Sequence, residues 1–281
     1  GAAGAAAAAR ITEDPATSVL LLEAGPYYPT TEQMPDDLIN GHNNSYTAHD
    51  WRYKHVTNSD GRQVPLPRGR VVGGSSAVNT AIALRGAPED YDGWAALGNT
   101  EWSWDKVLPY FRRLETDLDF DDDFHGRSGP VPIRRYREDE LTPVQTAFMN
   151  TMRALGYPET RDNNHPDTTG LAPHPMNKQG RLRMSVAVCY LEPARHRVNL
   201  TIRGDCHTYR IIHDGTRASG VEVESGGSVQ TVEGDRIVIA AGAVATPGIL
   251  MRSGLGPADE LRRLGVDLAR DLPGVGAGLD D

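Results

Sequence analysis

The stretch "GAAGAAAAARITEDPATSVLLLEAGP", Gly1–Pro26, decides the fold. Its second half, Ser18–Pro26, is a short continuous apolar run ended by an acid and a Gly-Pro break, the pattern of a strand buried on both faces. Before it, Ala5–Glu13 holds strong helix formers without Gly or Pro, and "EDPATS" supplies the stop. Helix into buried strand is the second half of a βαβ unit, so the chain is expected to begin one strand late. Gly1 and Gly4 then take the places of the last two glycines of a dinucleotide fingerprint, whose backbone approaches a pyrophosphate at a helix N-terminus. Ala5, Ala8 and Ala9 supply the small side chains that close helix-to-sheet packing needs, and Glu23 stands about 20 residues on, where an acid can accept from a ribose diol. An ordinary alanine-rich helix on a strand remains open at this point.

A chain of 281 residues is long enough to bury a sizeable core. Its 29 Lys and Arg against 38 Asp and Glu leave a formal charge of −9, which argues against nucleic acid or an anionic membrane as the main partner. The two cysteines, Cys189 and Cys206, lie in or beside apolar runs and read as buried thiols, as expected of a cytoplasmic, reducing compartment. No apolar run approaches the roughly 20 residues of a membrane span.

From Pro29 to Arg70 the chain is polar and turn-rich, with "HDWRYKH" as its one strand-like segment. "EDYDGWAALG" and "SWDKVLPYFRRLETD" carry helical spacing, the latter with Ser103 as N-cap and Trp104, Val107, Leu108 and Phe111 on one face. The acid run Asp117–Asp123 resembles a metal site but reads better as a solvated loop. "TPVQTAFMNTMRALGYP" is an amphipathic helix capped by Thr142 and stopped at Gly156–Pro158. Four strands follow, in "NLTIRGD", "TYRIIHDG", "RASGVEVES" and "SVQTVEGDRIVIAAGA", the last running into a helix whose start Thr246 and Pro247 mark.

Two further segments suit close backbone approach to a ligand: "RGRVVGGSSAVNTAIALRG" (68–86) and "AAGAVATPGILMRSGLGP" (240–257). Taken singly, each also fits a plain hairpin or βα turn. Together they resemble the paired signatures of the glucose-methanol-choline (GMC) flavin oxidoreductases. Gly69-Arg70, Gly73-Gly74-Ser75-Ser76, Val78-Asn79, Gly86 and Asp92 match the first, and Gly242-Ala243, Thr246-Pro247, Leu250-Met251 and Ser253-Gly254-Leu255-Gly256 the second. Gly4, the "LLLEAGP" strand, "DWRY", "NKQGRLRMSVAVCYLEPARHRVNL" and "LPGVGAGLDD" resemble the same family in the same order.

The resemblance implies an α/β fold, α+β overall. A Rossmann-like FAD-binding domain in two parts, 1–135 and 197–281, would flank a partial antiparallel-sheet substrate domain at 136–196. It implies FAD across the sheet. Gly1 and Gly4 would lie at the pyrophosphate, Glu23 at the adenosine ribose, and Thr208 where the backbone meets the adenine. Arg70, Gly73, Gly74, Ser76 and Asn79 would line flavin and diphosphate, with Ala241 and Gly242 closing the adenosine side. Some members attach FAD through a histidine just before the motif's Asn; Val78 stands there, so the flavin is expected to be non-covalent. The implied reaction is oxidation of a small-molecule alcohol, a histidine base taking the hydroxyl proton while hydride goes to flavin N5. That base and its partner belong to the family's C-terminal third, so no catalytic residue is expected before Asp281 and no metal is implied. His125, His165 and His174 are expected to be surface or structural residues. The electron acceptor stays open, as do a hydroxynitrile-lyase-type relative, an inactive flavin-binding remnant and an NAD-binding Rossmann enzyme. The chain by itself is expected to hold FAD poorly and to show no turnover, because sheet edges and apolar faces would lie open.

Overall fold

The computed structural model describes residues 1–56, 60–167 and 169–279. The alanines of the opening stretch form helix Ala2–Ile11, with Ala5, Ala8 and Ala9 buried on one side. Strand Val19–Leu22 follows and pairs in parallel with Leu200–Arg203, Val19 opposite Leu200. The helix-to-parallel-strand passage read from the sequence is therefore formed. Its strand is not buried on both faces, however: Leu20 is 41% exposed. Leu200–Arg203 is its one ladder partner among the described residues, and a strand with a single neighbour leaves an edge and part of a face in solvent.

Two compact units divide the chain, residues 1–35, 45–78 and 186–281 in the first and 36–44 and 79–185 in the second. In the first, His207–His213, Ala218–Ser225 and Ser228–Glu233 make an antiparallel meander, with register shifts between Ala218 and Gly220 and between Glu222 and Val223. "HDWRYKH" supplies strand Tyr53–Val56, which pairs with Gln63–Leu66. Among the described residues the expected strand through "RIVIAAGA" is not formed: pairing stops at Glu233, and 236–241 run without a ladder partner. Val238 is accordingly exposed. An apolar segment becomes a strand only where a neighbour takes up its N–H and C=O groups, and here none does. The following helix, Gly242–Arg252, starts a turn earlier than Thr246 and Pro247 suggest and carries Pro247 inside. The small residues of 242–245 extend the helix backward, at the cost of the N–H that Pro247 lacks. Both cysteines are buried free thiols, and burial pushes Cys189 up to about 12.

In the second unit, helices Pro88–Ala96 and Trp104–Leu114 meet through Tyr91, Trp104 and Val107, with Leu108, Phe111 and Phe124 packed against them. The apolar face read from the sequence is the core face. Ser103 holds the N-cap position without a side-chain bond; Asp92 Oδ1 accepts from Trp104 N at 2.9 Å instead. Helix Pro143–Ala154 has the expected cap: Gln145 N donates to Thr142 Oγ1, and Thr142 N to Gln145 Oε1. A two-strand parallel pair, Glu115–Asp117 with Val131–Ile133, and a hairpin, Lys178–Gln179 with Leu182–Arg183, complete it. No helix of the described residues is long and apolar enough to cross a membrane.

Candidate functional site

In the first unit three turns bring main chain against main chain. A Cβ on Gly74 would lie 2.6 Å from Gly1 Cα, and one on Gly1 would lie 3.0 Å from the Ala240 carbonyl oxygen. Gly4 faces the Ala240 methyl instead, its Cβ position 3.1 Å from that of Ala240. The glycine turn and the hydroxyl-rich turn thus meet main chain to main chain, and the segment leading into Gly242–Arg252 meets the glycine turn through the Ala240 carbonyl and methyl. Gly73 and Gly74 have φ of +99° and +57°, the left-handed region that lets successive peptide groups curl into a concave surface. Gly242, at the head of its helix, has φ +83°.

Glu23 closes this arrangement from the end of its strand. Its Oε2 accepts from the Gly1 nitrogen at 3.1 Å and its Oε1 from Gly25 N at 3.1 Å, and the residue is buried. Gly25 in turn lies flat on Arg70: a Cβ there would be 2.0 Å from the Arg70 carbonyl oxygen. Gly69 packs equally tightly on the Gly74 carbonyl, at 2.4 Å. The Glu23 carbonyl accepts from Cys206 N at 2.9 Å, which places the approach to Thr208 beside the strand end.

The sequence-derived residues are not all used alike. Arg70 sends its guanidinium over the Trp51 ring, 5.2 Å from the centroid, and contributes main chain to the turn. Ser76 Oγ donates to the Gly73 carbonyl at 2.8 Å and accepts from Val186 N at 3.2 Å, so its hydroxyl fixes the shape of the turn. Thr208 is half-buried in the meander opposite Val223, and Ala241 is an exposed N-cap. Asn79 belongs to the second unit, where its Oδ1 accepts from Ala81 N and its carbonyl from Arg183 Nε. Gly25 and Ala240 were not singled out by the sequence, whereas Gly69 was named only as part of the first signature, without a role. The Gly-Pro break hinted at Gly25, and Ala240 shows only once the turns stand together.

A second cluster of chemistry-bearing side chains lies in the second unit. Glu115, Asp117 and His125 are buried and hold ligand-type atoms within 4.8 Å of one another. Their charges are already matched. Arg85 bonds Glu115 at 2.6 Å, Arg135 bonds Asp117 and Asp162 at 2.6 Å each, and His125 reaches Asp117 at 3.1 Å and Asp162 at 3.0 Å. Three buried carboxylates face two guanidiniums and an imidazole, with the more exposed Asp119 also 3.5 Å from Arg135. Burial alone would lower His125, but its bonds to Asp117, Asp162 and Glu115 outweigh burial and hold it up at about 11. Burial alone would raise Asp117 and Asp162; bonds from His125 and, at Asp117, from Arg135 hold both below the usual carboxylate range. His125 is a structural residue, as the sequence reading has it. The solvated-loop reading of the acid run fails at Asp117, whose strand-end position turns its side chain inward to Arg135 and His125, and holds for Asp121 and Asp123.

The chain is 39% identical over 287 residues to an uncharacterized GMC-type oxidoreductase of Rhodococcus erythropolis, covering all of this chain and 57% of that protein. It is 36% identical over 292 residues to the mitochondrial choline dehydrogenase of Homo sapiens, covering all of this chain and 48% of that one. Among solved structures, pyridoxine 4-oxidase from Mesorbium loti superposes with a TM-score of 0.89 at 34% identity, over 97% of this chain and 54% of that chain. The chain thus spans about half the length of the curated relatives it matches. FAD is the cofactor these comparisons support, since the similar structures include a protein named an FAD-dependent oxidoreductase and a formate oxidase described by its FAD modification. With a family profile matching residues 3–281, signature turns and all, the chain belongs to the GMC oxidoreductases.

Proposed function

We propose that this chain forms the FAD-holding part of an oxidoreductase that oxidises a small-molecule alcohol, with the flavin bound non-covalently. The observation that carries the reading is the bare main-chain meeting of Gly1, Gly74 and Ala240, with Glu23 buried beside it. Close packing of these turns, which a Cβ at Gly74 would force apart, suits a surface whose main-chain N–H groups face a diphosphate. Gly1, Gly4, Gly73 and Gly74 would border the diphosphate, Glu23 would accept from the ribose, and Thr208, Ala241 and Gly242 would enclose the adenosine end. Arg70 and Ser76 would hold the turn in shape. Val78 offers a hydrocarbon side chain, which forms no bond to a flavin ring. When bound, FAD supplies a two-electron acceptor for hydride from a carbinol carbon. Within this chain the residues bind, orient and exclude water; no base is assigned among them. Dehydrogenases and oxidases both occur among the similar proteins, and the acceptor of the electrons is left unassigned.

The test is an FAD titration of a longer protein that carries this chain at the length of its relatives, beside residues 1–281 alone, followed by flavin absorbance and fluorescence, then acid precipitation. The expected result is a bound flavin in the longer protein that returns to the supernatant on precipitation, with weaker binding by residues 1–281 alone. Flavin fluorescence left unchanged by the longer protein at saturating FAD overturns the binding role, and flavin that stays in the pellet overturns its non-covalent attachment.

A further inference from the structure

Residues Ala187–Leu191 form a single π-helical turn, which runs directly into the short helix Glu192–Ala194. Such a turn closes i→i+5 bonds in place of i→i+4, and turns of this kind are rare and often stand at functional sites. Pro193 gives a local cause: it has no N–H for the Cys189 carbonyl, and its ring would crowd that oxygen in an α-helix. Ala187, Cys189, Tyr190 and Leu191 are buried.

Both glycine turns of the candidate site are connected to this segment. On one side, a Cβ on Gly73 would lie 3.1 Å from Ala187 Cβ, 3.4 Å from Ala187 N and 3.5 Å from Ala77 Cβ. Just ahead of the π-turn, Val186 N donates to Ser76 Oγ, which in turn donates to the Gly73 carbonyl. Gly73 is therefore enclosed by two buried methyls and tied by one hydroxyl. On the other side, the Arg10 guanidinium lies over the Tyr190 ring, 5.4 Å from its centre, at the last turn of the helix that Gly1 caps. Gly1 and Gly74 are the residues that meet main chain to main chain.

We propose that this π-turn sets the spacing of the two glycine turns, with Ala187 as a positioning residue that holds Gly73 through its methyl. It rests on the flavin reading, and Ala187 acts through Gly73 without touching the cofactor itself. A β-branched side chain at 187 would have to enter the space beside Gly73, and close-packed interiors answer such additions with backbone shifts. Gly73 presents only main chain there, so the turn itself must move.

The experiment compares wild type, Ala187→Val and Ala194→Val in a longer protein that carries this chain at the length of its relatives. Ala194 is equally buried, 1% exposed, and lies in the helix that follows, so the same enlargement there reports overpacking alone. FAD affinity, the visible circular dichroism of bound flavin and the thermal midpoint are read for each. Ala187→Val is expected to lose about tenfold in FAD affinity and to alter the flavin dichroism. Ala194→Val is expected to lower the midpoint while keeping wild-type affinity and dichroism. Wild-type affinity and dichroism in Ala187→Val overturn the inference and leave the flavin reading standing, and so does an equal loss in both variants. A wild type that takes up no FAD overturns the flavin reading, and this inference with it. Should Ala187→Val fail to fold, amide exchange in the wild type decides: slowing of the 187–191 amides by FAD supports the link, and exchange indifferent to FAD overturns it.

Discussion

At the scale of single residues, the glycines of the turns carry the sharpest expectations. Gly74 needs both its left-handed φ and the absence of a Cβ, because the Gly1 backbone occupies that space. Gly74→Ala is expected to weaken FAD binding at least tenfold, about 1.4 kcal/mol, in the flavin titration. Unchanged affinity would show that Gly1 and Gly74 do not share the cofactor's surface. Glu23→Gln keeps an oxygen for Gly25 N but loses the charge; an affinity loss of about 1–3 kcal/mol is expected if the carboxylate accepts from the ribose. Gly4 and Glu23 were legible in the sequence because spacing along one helix and one strand puts them at its ends. Gly25 was not singled out, because its partner is the Arg70 carbonyl, 45 positions further along the chain.

Among the elements, helix Pro143–Ala154 was fully legible. Its cap, its first-turn proline and its stop are all local, and Gly156 takes φ +81° just past its end. Thr142→Ala removes the oxygen that accepts from Gln145 N and is expected to cost about 1 kcal/mol in urea unfolding. A loss near zero would mean that Thr142 caps only weakly. Trp104–Leu114 was legible in its buried face but not in its cap, since Asp92 comes from the preceding helix. The apolar segment 236–241 looked like a strand by composition. It remains unpaired because strand formation depends on a neighbour, which local composition does not supply.

For the whole molecule, the closed set of Arg85, Arg135 and His125 with Glu115, Asp117 and Asp162 sets a pH window. Asp117 and Asp162 titrate lower when folded, so their contribution is present above the ordinary carboxylate range and is lost as pH falls through it. His125 titrates higher when folded; its contribution is complete below about 6.5, its unfolded value, and is lost as pH rises toward about 11. Unfolding free energy is therefore expected to be highest between about pH 4 and 6.5, to fall in acid below about pH 4, and to decline through neutrality into alkali as the His125 contribution is lost. His125→Gln leaves three carboxylates facing two guanidiniums and is expected to cost about 3–5 kcal/mol, with a shallower alkaline decline. A His125→Gln protein as stable as the wild type at pH 7 would show that the network is not held by this charge balance.

The sequence by itself determined the family, the order of the signature turns, the helix-to-parallel-strand passage and the helices with local caps. Each of these rests on spacing within one element or one turn, which the chain carries in linear form. Tertiary structure decided the rest. It turned Asp117 inward, left 236–241 without a ladder among the described residues, and brought Ala240 against Gly1. Burial, pairing and close approach are relations between segments far apart in the chain, and the same residue types can satisfy them or fail to, according to what packs beside them.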